Sequence, residues 1–340
     1  MPRIVIELTN RCNLSCGHCF DERNAATGEL PLEILEKVLR EGKSCGIDQV
    51  SFTGGEPTIH RRFDEIVNRV SETGYWFSFV SNGMSFPRIY PLLLKHRNWF
   101  AGVTFSLDGA REKTHDRLRG KGSYRHVMRA ISICAFKQLP FTLNMVLTAE
   151  NRNEIEAMVG LAERLGSRGV RFGHLMSTSE TALRKLDLTP EERREVESNI
   201  WRLKKSAPIP VGMAPGYFSE SPFFPCGPLE LEEYNLDYQG NLTLCCQLSG
   251  HSGQNDGADV IGNLSEISLT EACERFHLRV ATYLADKRDK IKTGSFSDLD
   301  HFPCWYCLKY LGKTSWLSTL PNHPWNASNG IHRKEAHTSC

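Results

Sequence analysis

The chain has 340 residues, 40% apolar and 24% charged, with 41 Lys+Arg against 40 Asp+Glu and a net charge of +1. That length accommodates a large α/β domain with a smaller one beside it, and the charge balance gives no strong nucleic-acid signal and excludes an acidic solvating chain. No apolar run reaches the roughly 18 residues of a membrane span, and the start, MPRIVIELTN, lacks the apolar core and cleavage site of a signal peptide, so no membrane association and a cytoplasmic location are expected.

The first 176 residues alternate strand and helix. Strands are predicted at Ile4–Leu8, Gln49–Thr53, Trp76–Ser81, Val103–Leu107, Phe141–Thr148 and Val170–Leu175, with helices at Pro31–Gly42, Phe63–Thr73, Tyr124–Phe136 and Asn153–Leu165. Parallel strands joined by helical crossovers follow, and six units predict an α/β fold with a partial (β/α)6 TIM-like barrel. A helix over Thr189–Lys205 has Thr189 as N-cap, Pro190 in the first turn and Glu192 completing a capping box. Ser206–Pro225 is rich in Pro, Gly and Ser and reads as a linker. Leu231–Tyr238 and Asn241–Cys246 alternate around Gln239-Gly240 as a hairpin, and Thr270–His277 is helical. The expected domains are therefore a barrel over 1–205, a small hairpin-plus-helix domain over 206–319, and a loosely held polar tail over 320–340, in which His323, His332 and His337 are solvated.

Twelve cysteines are the anomaly. They fall well short of the roughly 8–10% of a disulfide scaffold, and clustered cysteines in a reducing compartment are metal ligands or catalytic groups. Cys12, Cys16 and Cys19 form CxxxCxxC directly after the first strand, and others gather in the last third, which predicts two metal sites. Three thiolates on one loop can hold three irons of a cubane and leave the fourth open to a ligand. The alternative is a structural zinc loop completed by His18 or a distant residue. Cys45, Cys134 and Cys273 lie in apolar or helical contexts and read as core, and the terminal Cys340 as free.

Polar groups recur where the strands end, as they do at barrel active sites. Gly54-Gly55-Glu56-Pro57 follows the second strand: glycines admit a close ligand, and a carboxylate can pair with an ammonium group. Ser81-Asn82-Gly83 follows the third strand and Ser106-Leu107-Asp108-Gly109 the fourth, while Asn151 and His174 close the fifth and sixth. Asp108 is placed to accept from a ribose diol. Each of these alone is as well explained by a turn or a helix cap.

Together, Cys12, Cys16 and Cys19 with GGEP at 54–57 in six strand–helix units resemble the radical S-adenosylmethionine (SAM) enzymes, over residues 3–320. The resemblance implies a SAM-binding [4Fe–4S] cluster whose open iron chelates SAM, and reductive cleavage of SAM to a 5′-deoxyadenosyl radical that abstracts a substrate hydrogen. It implies Gly54, Gly55, Glu56 and Pro57 at the methionyl amino group, Ser81 and Asn82 in the cofactor site, Ser106 and Asp108 near the ribose, and Arg119 near the SAM carboxylate.

The C-terminal third is similar to SPASM/Twitch auxiliary-cluster domains. Thirteen residues lie between Cys226 and Gly240, Cys245 completes G-x4-C, and Cys304-Trp-Tyr-Cys307 follows. The resemblance implies that Cys226, Cys245, Cys304 and Cys307 saturate one auxiliary [4Fe–4S] cluster. Leu308–Leu320 holds no further cysteine, which departs from the full SPASM pattern and points to the Twitch form. Cys246 abuts Cys245 and competes for the same role, and a zinc ribbon is the alternative for the whole domain.

The implied activity is a radical SAM oxidoreductase of peptide (RiPP-type) maturation or natural-product biosynthesis, served by a reductant protein such as flavodoxin or ferredoxin. With the first strand so near Met1, an N-terminal leader-peptide-binding domain is not expected, so either a separate peptide-recognition protein serves it or the substrate is small. Alternatives are a dehydrogenase of a small alcohol or aminosugar, a cofactor-biosynthesis enzyme, and a non-catalytic metal-binding protein. No residue is singled out as a catalytic acid or base.

Overall fold

Apolar side chains fill both faces of the first strand: Ile4, Ile6 and Leu8 are completely buried on one face, and Val5 on the other is nearly so. Covering on both faces is the mark of a parallel strand under helical crossovers. In the computed structural model, which describes residues 2–20, 27–251 and 257–326, β1 (Arg3–Thr9), α1 (Leu32–Gly42), β2 (Gln49–Gly54), α2 (Phe63–Glu72), β3 (Trp76–Ser81), α3 (Phe86–Lys95), β4 (Phe100–Ser106), α4 (Glu112–Arg119), α5 (Ser123–Lys137), β5 (Phe141–Leu147), α6 (Ile155–Arg164) and β6 (Val170–His174) form the predicted six units. Then come α7 (Ser179–Leu183), α8 (Pro190–Ser206), β7 (Val211–Met213), β8 (Glu233–Leu236), β9 (Asn241–Thr243), β10 (Val260–Asn263), α9 (Leu269–Lys292) and α10 (Pro303–Tyr310).

One ten-stranded sheet runs β10-β9-β8-β1-β2-β3-β4-β5-β6-β7. Strands β1 to β7 are parallel neighbours, and the sheet does not close on itself. The predicted hairpin is β8–β9. It joins the barrel sheet directly, β8 pairing parallel to β1 with Ile4 opposite Tyr234. Strand β9 runs antiparallel to β8, so the thiols after β9 leave the sheet at the end where β1 begins, whereas the cysteine loop follows the other end of β1.

Three expectations are corrected. The stretch read as a linker contains β7, which pairs with β6 through Val170 and Val211. The tail is packed as far as it is described: Trp325 is 1% exposed, its ring 4.8 Å from that of Phe302, and its indole N–H donates to the Leu188 carbonyl at 2.7 Å. His323 is likewise buried, against Trp316, whereas His332, His337 and Cys340 lie outside the described residues. The helix around Thr270–His277 extends to Lys292, its buried face carrying Phe276, Val280, Tyr283 and Lys287.

Candidate functional site

The two glycines at the end of β2, Gly54 and Gly55, serve the chain's own backbone. A Cβ on Gly54 would strike the Thr9 carbonyl, and one on Gly55 the Arg11 carbonyl. Without them the Gly55 and Glu56 N–H groups donate to the Thr9 and Arg11 carbonyls, each at 2.8 Å. The close approach foreseen for a ligand is thus made by the segment leading into Cys12. Pro57 opens a short 3-10 turn over Pro57–Ile59.

Glu56 is 1% exposed, and its carboxylate is taken up within the protein. It accepts from the Thr58 hydroxyl (2.6 Å), the Ser81 hydroxyl (2.9 Å) and the Asn82 N–H (2.8 Å). Burial pushes its pKa up, and these bonds oppose the shift. Asn82, fixed in this way, donates its side-chain amide to Asn13 at 2.7 Å and stands 3.8 Å from the Cys12 sulfur. Glu56 and Asn82 therefore brace the loop's first cysteine from β2 and β3.

Asp108, just past β4, braces the other end. It is fully buried; one oxygen accepts from the Val146 N–H at 2.8 Å, and the other faces His18 Nε2 at 3.1 Å and the Arg119 guanidinium. Burial opposes its ionisation, yet Arg119 and then His18 hold its carboxyl well below the usual range. Arg119, at the end of α4, lies 3.9 Å from the Cys16 sulfur, and the Leu118 carbonyl accepts from the Gly17 N–H at 2.8 Å. Burial pushes the Cys16 thiol up to about 11, Arg119 opposing and Asp108, Cys19 and Cys12 adding. Ser106 is buried at the end of β4 beside this group. Asn151 is used up structurally, donating to the Asp108 and Val146 carbonyls at 3.0 and 2.8 Å. His174 is buried under Gly216, where any side chain would overlap its ring.

The C-terminal thiols meet one another. Cys304 and Cys307, three apart on α10, share a face of that helix. Cys307, Cys226 and Cys246 all lie near enough to disfavour ionisation of Cys304, and Cys245 is likewise influenced by Cys304. The structure thus brings Cys226, Cys304 and Cys307 together with both members of the Cys245-Cys246 pair. Burial pushes Cys226 up to about 12 and Cys304 and Cys307 upward as well. For Cys245 the hydrogen bond with Cys246 comes first and burial second. Cys304 donates to the Pro215 carbonyl at 3.3 Å, a bond that must yield on ligation. All these cysteines are free thiols.

Both sites suit a multi-iron group. Among the described residues no three His, Cys, Asp or Glu side chains converge closely enough to hold a metal ion. A cubane sets an iron under each thiolate and so takes thiols from a wider group than one zinc does. Thiols whose ionisation is disfavoured stay neutral until a cationic group deprotonates them. At the first site His18 is 7% exposed and its Nδ1 has no hydrogen-bond partner, an orphan between Cys16 and Cys19.

Sequence reasoning missed His115, whose Nδ1 accepts from the Asp108 N–H at 3.1 Å; it is hidden in the charged run of α4. It also missed Tyr283, whose hydroxyl lies 3.1 Å from the Cys307 sulfur, and the buried cations Arg193 and Lys287. For Lys287 a signal existed: it continues the helical stripe of Phe276, Val280 and Tyr283.

A family model described as the radical SAM superfamily matches residues 6–162. The PqqA peptide cyclase of Methylorubrum extorquens is 25% identical over 256 residues, which cover 71% of this chain and 65% of that protein. The mycofactocin maturase MftC of Mycobacterium tuberculosis is 28% identical over 210 residues, 61% of this chain and 53% of that protein. The chain therefore spans less than two thirds of these relatives. In fold it resembles Streptococcus suis SuiB, solved bound to S-adenosylmethionine, with a TM-score of 0.63 at 17% identity over 79% of this chain and 64% of that one. With the cysteine loop, the bracing carboxylates and an open parallel sheet of similar fold, residues 6–162 of this chain match the radical SAM superfamily.

Proposed function

We propose that the chain is a radical SAM oxidoreductase that modifies a peptide, using one SAM-binding and one auxiliary [4Fe–4S] cluster. The observation that carries this reading is the pair of thiol groups, Cys12, Cys16 and Cys19 after β1 and Cys226, Cys245, Cys304 and Cys307 around α10. When bound, the first cluster with SAM supplies one electron and a 5′-deoxyadenosyl radical that takes a substrate hydrogen. In this reading Cys12, Cys16 and Cys19 would hold three irons of the cluster and leave the fourth to SAM. Arg119 adds positive charge beside Cys16, where the SAM carboxylate would bind, and Ser106 and Asp108 border the ribose site. Gly54–Pro57, Ser81 and Asn82 shape the methionyl end, Glu56 through the backbone and amide it fixes. Residues 1–205 form the cleavage domain and 206–319 the auxiliary one, and a flavodoxin- or ferredoxin-like protein supplies electrons. The peptide substrate is supported by the names of the relatives, a peptide cyclase and a maturase.

The test is metal counting after anaerobic reconstitution. Two cubanes require about eight irons per chain, falling to about four in Cys12/Cys16/Cys19→Ala and to about four in Cys226/Cys304/Cys307→Ala. Separate Cys245→Ala and Cys246→Ala variants assign the remaining ligand. Stoichiometric zinc without iron uptake would sink the reading. Incubation with SAM, reductant and a candidate peptide then reports modification as a change in peptide mass.

A further inference from the structure

Two buried cations and a buried hydroxyl flank the C-terminal thiols, while Glu233 and Glu230 act on Cys226 from another side. Tyr283 is fully buried on α9, its hydroxyl 3.1 Å from the Cys307 sulfur. One turn further along the same helix, Lys287 is 3% exposed, its ammonium 4.5 Å from the Tyr306 ring and 5.6 Å from the Phe296 ring. No carboxylate lies within ion-pair distance of Lys287 among the described residues; the nearby Asp300 is engaged by Lys309 at 2.6 Å and Lys290 at 3.3 Å. On the side of Cys304, the Arg193 guanidinium is 2% exposed, donating to the Gly216 and Leu175 carbonyls and stacked 4.1 Å from the Trp325 ring; among the described residues Asp187 is a carboxylate that acts on it, beyond ion-pair distance. Burying two cations without a carboxylate partner is costly. It becomes favourable once the thiols near them are negatively charged: Cys307 and Cys226 act on Lys287, and Cys304 on Arg193.

From this arrangement we infer that Tyr283, Lys287 and Arg193 are positioning residues that raise the reduction potential of the auxiliary cluster, so that it takes up an electron. A thiolate only accepts hydrogen bonds, so the Tyr283 hydroxyl donates to Cys307 when that sulfur is a ligand. Hydrogen bonds to cluster sulfurs and nearby positive charge both stabilise the more negative, reduced state. Exclusion of water works in the opposite direction, which makes these three groups decisive for the sign. The inference rests on the auxiliary-cluster reading of the preceding section and adds the residues of this chain that set the cluster's potential.

The test uses the full chain with Cys12/Cys16/Cys19→Ala, so that only the C-terminal cluster can form. Its midpoint potential is read by EPR-monitored redox titration, with iron content and melting temperature alongside. Tyr283→Phe keeps the ring and removes only the hydroxyl, while Lys287→Met keeps an apolar body of similar length. Each is expected to retain about four irons and to shift the midpoint to more negative values, the two shifts adding in the double variant. Unchanged potentials in both, with iron retained, overturn the inference and leave the auxiliary cluster standing. Failure of the background variant to take up any iron overturns the auxiliary reading itself.

Discussion

Asp108→Asn is the substitution that most sharply separates a bracing carboxylate from an incidental one. The change preserves shape and the bond from the Val146 N–H, and removes only the charge facing Arg119 and His18. Asp108 is completely buried and the Arg119 side chain is 12% exposed, so the variant strands a buried guanidinium beside a neutral amide. Removing one partner of such a pair costs roughly 3–5 kcal/mol. The residual exposure of Arg119 and its neighbour Cys16 place this case near the lower figure, about 3 kcal/mol. In anaerobic urea unfolding of the metal-free chain, followed by tryptophan fluorescence, that loss lowers the midpoint by roughly 1 M. Because Leu118 and Arg119 clamp Gly17 and Cys16, iron uptake at the first site should fall in parallel. A midpoint shifted by less than about 0.2 M, with full iron uptake, would show that the pair does not organise the loop.

Three further outcomes follow from packing and charge. Gly55→Ala should yield little soluble protein or a sharply lowered melting temperature, because its Cβ has no room beside the Arg11 carbonyl; a variant melting like the parent would refute the close approach. Trp325→Ala should cost about 3–5 kcal/mol by emptying the space against Phe302 and Trp305, whereas a solvated tail would lose almost nothing. Burial holds His115 and His251 near 4 in the folded chain, against about 6.5 when unfolded. Below about 6.5 the unfolded chain therefore binds protons first. Their contribution to stability is complete above about pH 7 and falls through the window from about 6.5 to 4, by on the order of 5 kcal/mol for the two. Asp108 works in the same direction only below about pH 4. Melting temperatures that stay flat from pH 7.5 to 5 would contradict this.

Much of the fold is legible in the sequence because its signals are local. Alternating apolar runs place β1 to β6 to within a few residues, and Thr189 with Glu192 closes the predicted capping box at 3.1 and 2.9 Å. What the sequence conceals is helix without the usual pattern. Helix α3 carries Pro87 in its first turn and Pro91 within it, and α4 is too charged to show an apolar stripe. Strand β7 is three residues long inside a Pro- and Gly-rich stretch, and Trp325 is a lone aromatic in a polar segment. At the site, the cysteines and strand-end groups are found by position, but their partners are not. That Glu56 braces Asn82, or that Asp108 meets His18 across 90 residues of chain, is settled by how strand ends converge, and no local spacing encodes it.

The account turns on reductive cleavage of SAM by this chain. Reconstituted anaerobically, reduced with dithionite and given SAM, the protein should form 5′-deoxyadenosine, detected by liquid chromatography and mass spectrometry. The Cys12/Cys16/Cys19→Ala variant, still carrying its C-terminal iron, should form none. A fully iron-loaded parent that yields no nucleoside, with or without peptide, would contradict the central claim.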